Sequence, residues 1–208
     1  MKQLFFVFAF AISFYSYSQK AKLSKKDNLI TISTSLGSFT LLLFDETPKH
    51  KANFIKLTNE KYYDSTSFHR IIDGFMIQGG DPNSKDKDPN NDGAGGPGYT
   101  IPAEFNTKYT HVKGAVAAAR MGDQVNPAKE SSGSQFYIVE NNEGTHFLDN
   151  NYTVFGQVIA GIDVVEKIAV QQKDGRDRPL NDIKMSVKNQ LVKKKKITKL
   201  YGYKYIQS

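Results

Sequence analysis

The feature that most constrains the fold is a series of short apolar segments. Helices do not alternate regularly with these segments along the chain. The segments occupy residues 29–35, 39–44, 68–72, 75–78, 114–119, 135–139, 154–159 and 183–191. Helical spacing of apolar residues occurs only twice, from Pro48 to about Asn59 and over residues 161–169. About eight short strands without βαβ alternation predict a mainly β fold, a closed eight-stranded antiparallel barrel capped by two helices.

The first two segments predict a hairpin. Residues 29–35 alternate apolar and polar side chains, a Gly-Ser turn follows, and residues 39–44 are apolar except for one Thr. Alternation indicates a half-buried strand, whereas a continuous apolar run indicates a strand buried on both faces. Thr47 then supplies a helix cap, and Pro48 suits the first position of a helix.

The N-terminus has the layout of a secretory signal peptide. The single charge of Lys2 precedes an apolar run over residues 4–15, and small residues stand at −3 and −1 of a cut after Ser18. The run is shorter than the roughly 20 residues that cross a bilayer. We therefore expect a signal peptide at 1–18, a linker at 19–27, and export to the periplasm or the outside, with no membrane span after cleavage. A buried strand or an uncleaved anchor is the alternative.

Of the net charge of +7, six charges belong to the C-terminal segment, residues 193–208, which holds six Lys and no acid, and Lys2 supplies the seventh. Residues 19–192 hold 21 basic and 21 acidic side chains, so their net charge is zero. This charge gives no reason to expect that the main domain binds nucleic acid. Lysines interleaved with Tyr201, Tyr203 and Tyr205 would suit a nucleic acid or an anionic surface. Because runs of charged residues at chain ends usually interact only with solvent, we expect a basic, frayed tail.

Several kinds of chemistry are excluded or unsupported. The chain has no Cys, which excludes disulfides, thiolate metal sites and Cys nucleophiles. Its four His lack the spacing of metal ligands, and the glycine-rich loop at 81–100 is not followed by the Lys-Ser/Thr of a phosphate-binding loop. We therefore expect neither a metal nor a cofactor.

Three stretches carry polar and aromatic residues in an unusual combination. Residues 68–81 read FHRIIDGFMIQGGD, residues 132–138 read SGSQFYI, and residues 147–156 read FLDNNYTVFG. In these motifs and their order the chain resembles the cyclophilin-type peptidyl-prolyl cis-trans isomerases over roughly residues 28–192. The resemblance implies the eight-stranded barrel with two capping helices, a site on the outer face of the barrel, and isomerisation of X–Pro bonds without a cofactor.

The resemblance also implies the site residues. Arg70 matches the catalytic guanidinium, which would donate a hydrogen bond near the prolyl nitrogen of a twisted amide. Gln78 would orient Arg70, and Gln135 would contact the substrate backbone. The backbone of Ala119 and Arg120 would form the strand edge along which the peptide lies. The substrate-binding positions are Phe75, Met76, Gln78, Ala119, Arg120, Gln135, Tyr137, Phe147, Leu148 and Tyr152.

Four positions depart from the common family pattern. Tyr137 replaces a frequent Phe, Phe147 replaces a Trp, and Tyr152 replaces a His. Each keeps an aromatic ring, so catalysis is expected to survive while substrate and drug preference change. Phe147 lacks the indole N–H that donates to cyclosporin-type peptides in other members. Arg120 replaces an Asn of which only the backbone is needed.

The expected partner is a proline-containing segment of an unfolded or folding exported protein, and we expect a monomer that binds no nucleic acid. The alternative from another class is a non-catalytic module that binds proline and serves as a chaperone or adaptor. Arg70, Phe75 and Gln135 are all present, which favours the enzyme. A binder of nucleic acid or of cell surfaces would depend on the Lys-rich tail alone.

Overall fold

The computed structural model describes residues 24–205, and this range contains ten strands and three helices. The strands are β1 (Lys26–Thr34), β2 (Gly37–Leu43), β3 (Arg70–Ile72), β4 (Met76–Gly79), β5 (Thr100–Ile101), β6 (Ala115–Ala118), β7 (Ser131–Ser132), β8 (Phe136–Val139), β9 (Val154–Ala160) and β10 (Ser186–Lys193). The helices are α1 (Pro48–Asn59), α2 (Ile162–Ala169) and α3 (Lys194–Tyr201), with short 3₁₀ turns at Pro82–Lys85 and His146–Leu148. None of the helices in this range is long and apolar enough to cross a bilayer.

Eight strands form one antiparallel sheet, which confirms the predicted mainly β architecture. Their order is β10–β1–β2–β9–β6–β8–β4–β3, and β5 pairs with β7 separately. Because β10 and β3 stand at the two ends of this order, strand pairing alone does not close the predicted barrel. The chain just before each end strand forms the contact instead: the amide of Phe68 donates to the carbonyl of Ile183 at 3.0 Å, and that of Met185 to Thr66 at 2.8 Å.

The main core lies on one face of this sheet. The predicted hairpin is present as β1 and β2, in which Ile32 is paired with Phe39 and both side chains are buried. The two predicted helices cover this core with buried apolar side chains, Phe54 on α1 and Ile168 on α2 among them. The predicted cap is different in detail: the hydroxyl of Thr47 donates to the carbonyl of Phe44 at 3.4 Å and caps no helical amide.

A third helix corrects the expected frayed tail. In α3, Ile197 is fully buried against Leu29 and Leu42, which are paired across β1 and β2 on the face opposite the main core. Ile197 is the buried residue of this helix, and Tyr201, one turn later, is half-buried against the same cluster. Their apolar contacts help to offset the entropy lost when the segment is ordered. The N-terminal boundary also shifts, because β1 begins at Lys26, inside the expected linker. The expected signal peptide and the last three residues of the tail lie outside the described residues.

Candidate active site

Strands β3, β4 and β8 present different side chains to the two faces of the sheet. Ile71 and Ile77 are paired, fully buried and part of the main core. Since successive side chains of a strand alternate, the neighbouring row Arg70–Gln78–Tyr137, also paired across the three strands, points to the outer face. The apolar residues of the motifs thus hold the strands in the core while the polar and aromatic ones face outward.

An open pocket of about 160 Å³ lies on this outer face. Its floor consists of Met76 and Tyr137, which are buried in a small apolar cluster separate from the main core. The pocket is lined by nine of the eleven predicted site residues: Arg70, Phe75, Met76, Gln78, Ala119, Arg120, Tyr137, Leu148 and Tyr152. Such a pocket suits a small apolar ring whose neighbouring polar atoms reach an arginine at the wall.

The guanidinium N–H groups of Arg70 donate no hydrogen bond within residues 24–205. Its side chain is 43% exposed, and its Nε lies 3.8 Å from Asp177 Oδ2, too far for a hydrogen bond. Gln78 lies directly opposite on β4, but its Nε2 donates to Gln135 Oε1 at 3.1 Å. Within the described residues no hydrogen bond joins Gln78 to Arg70, and the Oε1 of Gln78, the atom that could accept from a guanidinium, is not used in the bond to Gln135.

Gln135 lies beside the pocket and not in it. It lines an adjoining groove of about 660 Å³. Its Nε2 donates to the carbonyls of Gly93 and Gly95 at 2.9 and 2.8 Å, so its donors hold the loop that forms one side of that groove. For the predicted contact with the substrate backbone, Gln135 could accept through the second lone pair of Oε1, whereas donating to the substrate would require one of these bonds to be exchanged. Gln135 thus connects the row on the sheet with the 93–95 loop.

Asp81 secures the same loop from the other side. Its carboxylate is fully buried and accepts from the amides of Gly93 and Gly95. A side chain on Gly95 would place its Cβ 2.1 Å from this carboxylate. The preceding Gly80 has φ +85° and would bring a Cβ to 2.4 Å from the carbonyl of Ser134. Gly80 and Asp81, the two residues that follow β4, therefore set the position of the loop.

Phe147 also lies outside the pocket, at its edge. It belongs to a 3₁₀ turn, is 72% exposed, and stacks on Phe75 with ring centroids 5.9 Å apart. A ligand that covers Phe75 would therefore meet the face of Phe147 and find no hydrogen-bond donor there.

A hydrogen-bonded chain below the pocket was not foreseen from the sequence. The Tyr137 hydroxyl lies 2.9 Å from His111 Nε2, and His111 Nδ1 lies 2.7 Å from Asp149 Oδ1. A carboxylate only accepts, so Nδ1 carries the proton and Nε2 accepts from Tyr137. Burial lowers the pKa of His111 against the opposing effect of Asp149, and burial raises the pKa of Tyr137, which keeps both groups neutral. The hydroxyl of Tyr137 is thus directed away from the pocket.

Arg120 folds onto the pocket wall. Its guanidinium lies 4.5 Å from the centroid of the Tyr152 ring, and its Nε donates to the carbonyl of Asn151 at 2.8 Å. The backbone of Ala119 is already paired, donating to Gln135 and accepting from Ser132. The predicted strand edge is therefore reduced to Arg120, whose backbone groups have no hydrogen bond within residues 24–205.

His69, next to Arg70, is buried on the other side of the strand, and burial lowers its pKa. Across the described range, residues 24–205, no three His, Asp or Glu side chains are placed to hold a metal ion.

Comparison with known proteins agrees with this geometry. Residues 29–189 match the family model described as cyclophilin type peptidyl-prolyl cis-trans isomerase/CLD. The peptidyl-prolyl cis-trans isomerase-like 1 of Neurospora crassa is 36% identical over 157 residues, which cover 75% of this chain and 90% of that protein. A longer Streptococcus pyogenes protein is 36% identical over 185 residues, and there the match spans only 37% of its length.

Solved structures show the same fold. A cyclophilin-type peptidyl-prolyl cis-trans isomerase of Cryptosporidium parvum superposes with a TM-score of 0.69 at 27% identity, covering 79% of this chain and 98% of that one. The same Cryptosporidium protein has also been crystallised in the presence of the dipeptide Ala-Pro, and that structure superposes with a TM-score of 0.66.

Proposed function

The chain belongs to the cyclophilin-type peptidyl-prolyl cis-trans isomerase family and is such an isomerase; from this premise we propose that Arg70 is its catalytic side chain and that it assists the folding of exported proteins. Its substrates would be proline-containing segments of unfolded or folding chains, on which it acts as a monomer.

Rotation about an X–Pro bond needs stabilisation of a twisted amide and little else. The barrier is roughly 18–20 kcal/mol because resonance gives the C–N bond partial double-bond character. The cis and trans forms differ by only about 0.5–1 kcal/mol. A catalyst therefore acts by binding the twisted state more tightly than either planar state, without a nucleophile or a proton transfer.

Arg70 is suited to that task. Twisting the amide localises the lone pair of the prolyl nitrogen, which then accepts a hydrogen bond, and a guanidinium is a permanently charged donor. The half-exposed Arg70 stands on the wall of a pocket whose floor is Met76 and Tyr137. A donor next to a seat for the proline ring is the observation that carries the proposal. The free backbone of Arg120 adds a short edge for the peptide.

The catalytic proposal is tested by replacing Arg70 with Ala and measuring isomerisation of an Ala-Pro peptide in a protease-coupled assay. A charge-assisted hydrogen bond contributes about 1.5–3 kcal/mol. We therefore expect kcat/KM to fall by about tenfold to a hundredfold. The matched control is Arg176→Ala, which removes an arginine that is 60% exposed and outside the pocket and should leave the rate unchanged. A folded Arg70→Ala protein with the wild-type rate would refute the assignment.

The export proposal is supported by the short apolar run and the small residues before position 19. Fractionation followed by N-terminal sequencing should find protein outside the cytosol that begins at Gln19. Replacing Val7 with Arg, which interrupts the apolar run, should retain the chain inside. Recovery of the wild type only in the cytosol with Met1 in place would contradict export.

We also infer that the sheet closes into a barrel through the bonds between residues 65–68 and 183–185. In support, three backbone hydrogen bonds of 2.8–3.0 Å join these segments. Amide exchange at Phe68 and Met185 as slow as in the centre of the sheet would support closure. Exchange as fast as in the exposed loops would contradict it.

A further inference from the structure

Helix α3 presents two faces of opposite character. Ile197 packs against Leu29 and Leu42 beneath it, so the opposite side of the helix faces solvent. Lys195 and Lys199 lie on that side, and Lys196 and Leu200, one turn apart, lie on its flank. All four side chains are exposed.

Further lysines lie close to the two ends of the helix. Lys26 and Lys193 stand directly opposite each other where β1 pairs with β10. The amide of Lys194 donates to the carbonyl of Lys25 at 2.9 Å, which places Lys25 beside the start of the helix. Seven lysines of this region are exposed, and within the described residues none of their ammonium groups lies within 4.0 Å of a carboxylate oxygen. They form what we name the lysine patch: Lys25, Lys26, Lys193, Lys195, Lys196, Lys199 and Lys204.

The lysine patch works against the stability of the structure that carries it. Three consecutive lysines open α3, where the helix dipole favours negative charge, and no side chain caps that end. Lys195 and Lys199 are four residues apart on one face, and like charges at that spacing repel. Lys26 and Lys193 repel across the strand pair for the same reason. An anionic surface would relieve all three conflicts at once.

We propose that the lysine patch docks the protein on the surface of an anionic lipid bilayer. Leu200, 58% exposed, lies one turn after Lys196 on the same flank of α3, and aliphatic side chains gain free energy in a lipid interface. A nucleic acid would reward stacking instead. The nearby aromatic residues Tyr201, Tyr203 and Tyr205 are half-buried against the sheet and offer no free faces in a row.

The export proposed above, on which this step rests, would bring the patch near a bilayer. The described residues begin at Ser24, beside Lys25, and the apolar run ends at residue 15. Nine residue steps span at most about 30 Å. Whatever membrane receives the apolar run during export therefore lies within that distance of the lysine patch, which would then hold the domain there once the run is removed.

The test is co-sedimentation of the full chain with vesicles of phosphatidylcholine alone or mixed with phosphatidylglycerol. Because the apolar run is common to every sample, differences between variants report on the patch. The test variant combines Lys195→Gln, Lys196→Gln and Lys199→Gln. We expect its affinity for mixed vesicles to fall about a hundredfold, since each lysine contributes a factor of about five to the affinity. The matched control is a second triple variant, which combines Lys61→Gln, Lys87→Gln and Lys167→Gln. It changes the net charge by the same amount at exposed sites elsewhere and should bind like the wild type.

Isomerase activity, measured in parallel, should be unchanged in both triple variants, which shows that each is folded. Equal loss of binding in both would mean that only net charge matters and would overturn the proposal. Equal binding of the wild type to neutral and mixed vesicles would also overturn it. Tighter binding to a single-stranded oligonucleotide than to mixed vesicles would point to a nucleic acid and refute the lipid assignment.

Discussion

Replacing Tyr137 with Phe removes one hydroxyl and leaves the ring that floors the pocket. The hydroxyl donates to His111 Nε2 at 2.9 Å, and His111 is fully buried. The variant therefore leaves a buried acceptor without a partner, which costs about 1–3 kcal/mol of the free energy of unfolding. For a domain of this size each kcal/mol lowers Tm by about 2–4 °C. Because the hydroxyl points away from the pocket, kcat/KM on a short Ala-Pro peptide should be unchanged.

The matched control for this variant is Tyr152→Phe. Tyr152 lines the same pocket, and its hydroxyl has no hydrogen bond within residues 24–205, so its removal should change stability by no more than about 0.5 kcal/mol. Urea unfolding and the protease-coupled assay on both variants separate the two readouts. If Tyr137→Phe unfolded like the wild type but lost activity, the hydroxyl would act on the substrate and the assigned hydrogen bond would be wrong.

Three further outcomes are expected. Burial lowers the pKa of His50, His69 and His111 below the ordinary value of 6.5, so below about pH 6.5 the unfolded chain binds more protons than the folded one. The free energy of unfolding should thus fall as the pH drops from 6.5 towards the lowered values, and a urea midpoint that stays constant there would contradict this. Phe147→Trp should tighten inhibition by a cyclosporin-type peptide by about one to two decades, because it restores a donor at the pocket edge; equal inhibition constants would show that the donor is not limiting. Ile197→Ala should destabilise the protein by about 2–5 kcal/mol without changing isomerase activity, since the residue is fully buried under α3; an unchanged Tm would mean that the helix does not pack there.

Local patterns predicted the elements whose partners lie close in sequence or whose burial is continuous. The alternation of residues 29–35 and the apolar run after it gave β1 and β2, and Pro48 marked the start of α1. The order of motifs placed Arg70, Met76 and Tyr137 around one pocket.

The features that were missed depend on contacts between distant residues. Lysines dominate the sequence of α3, and what orders it is Ile197 meeting Leu29 and Leu42, more than 150 residues earlier. The bond from Tyr137 to His111 has no local signature either, because a histidine in a loop and a tyrosine in a strand are common separately. Frayed termini and unconnected histidines were therefore the natural expectations.

The separation of the two apolar clusters affects how this protein can diverge. Met76 and Tyr137 pack in the outer cluster, while Ile77 and Ile138, their neighbours in the same strands, pack in the main core. Mutations that reshape the pocket thus leave the larger cluster intact, and the fold can tolerate a succession of them. Substrate range can drift between lineages, or be selected in a library of pocket variants, while the chain keeps the folding stability it inherited.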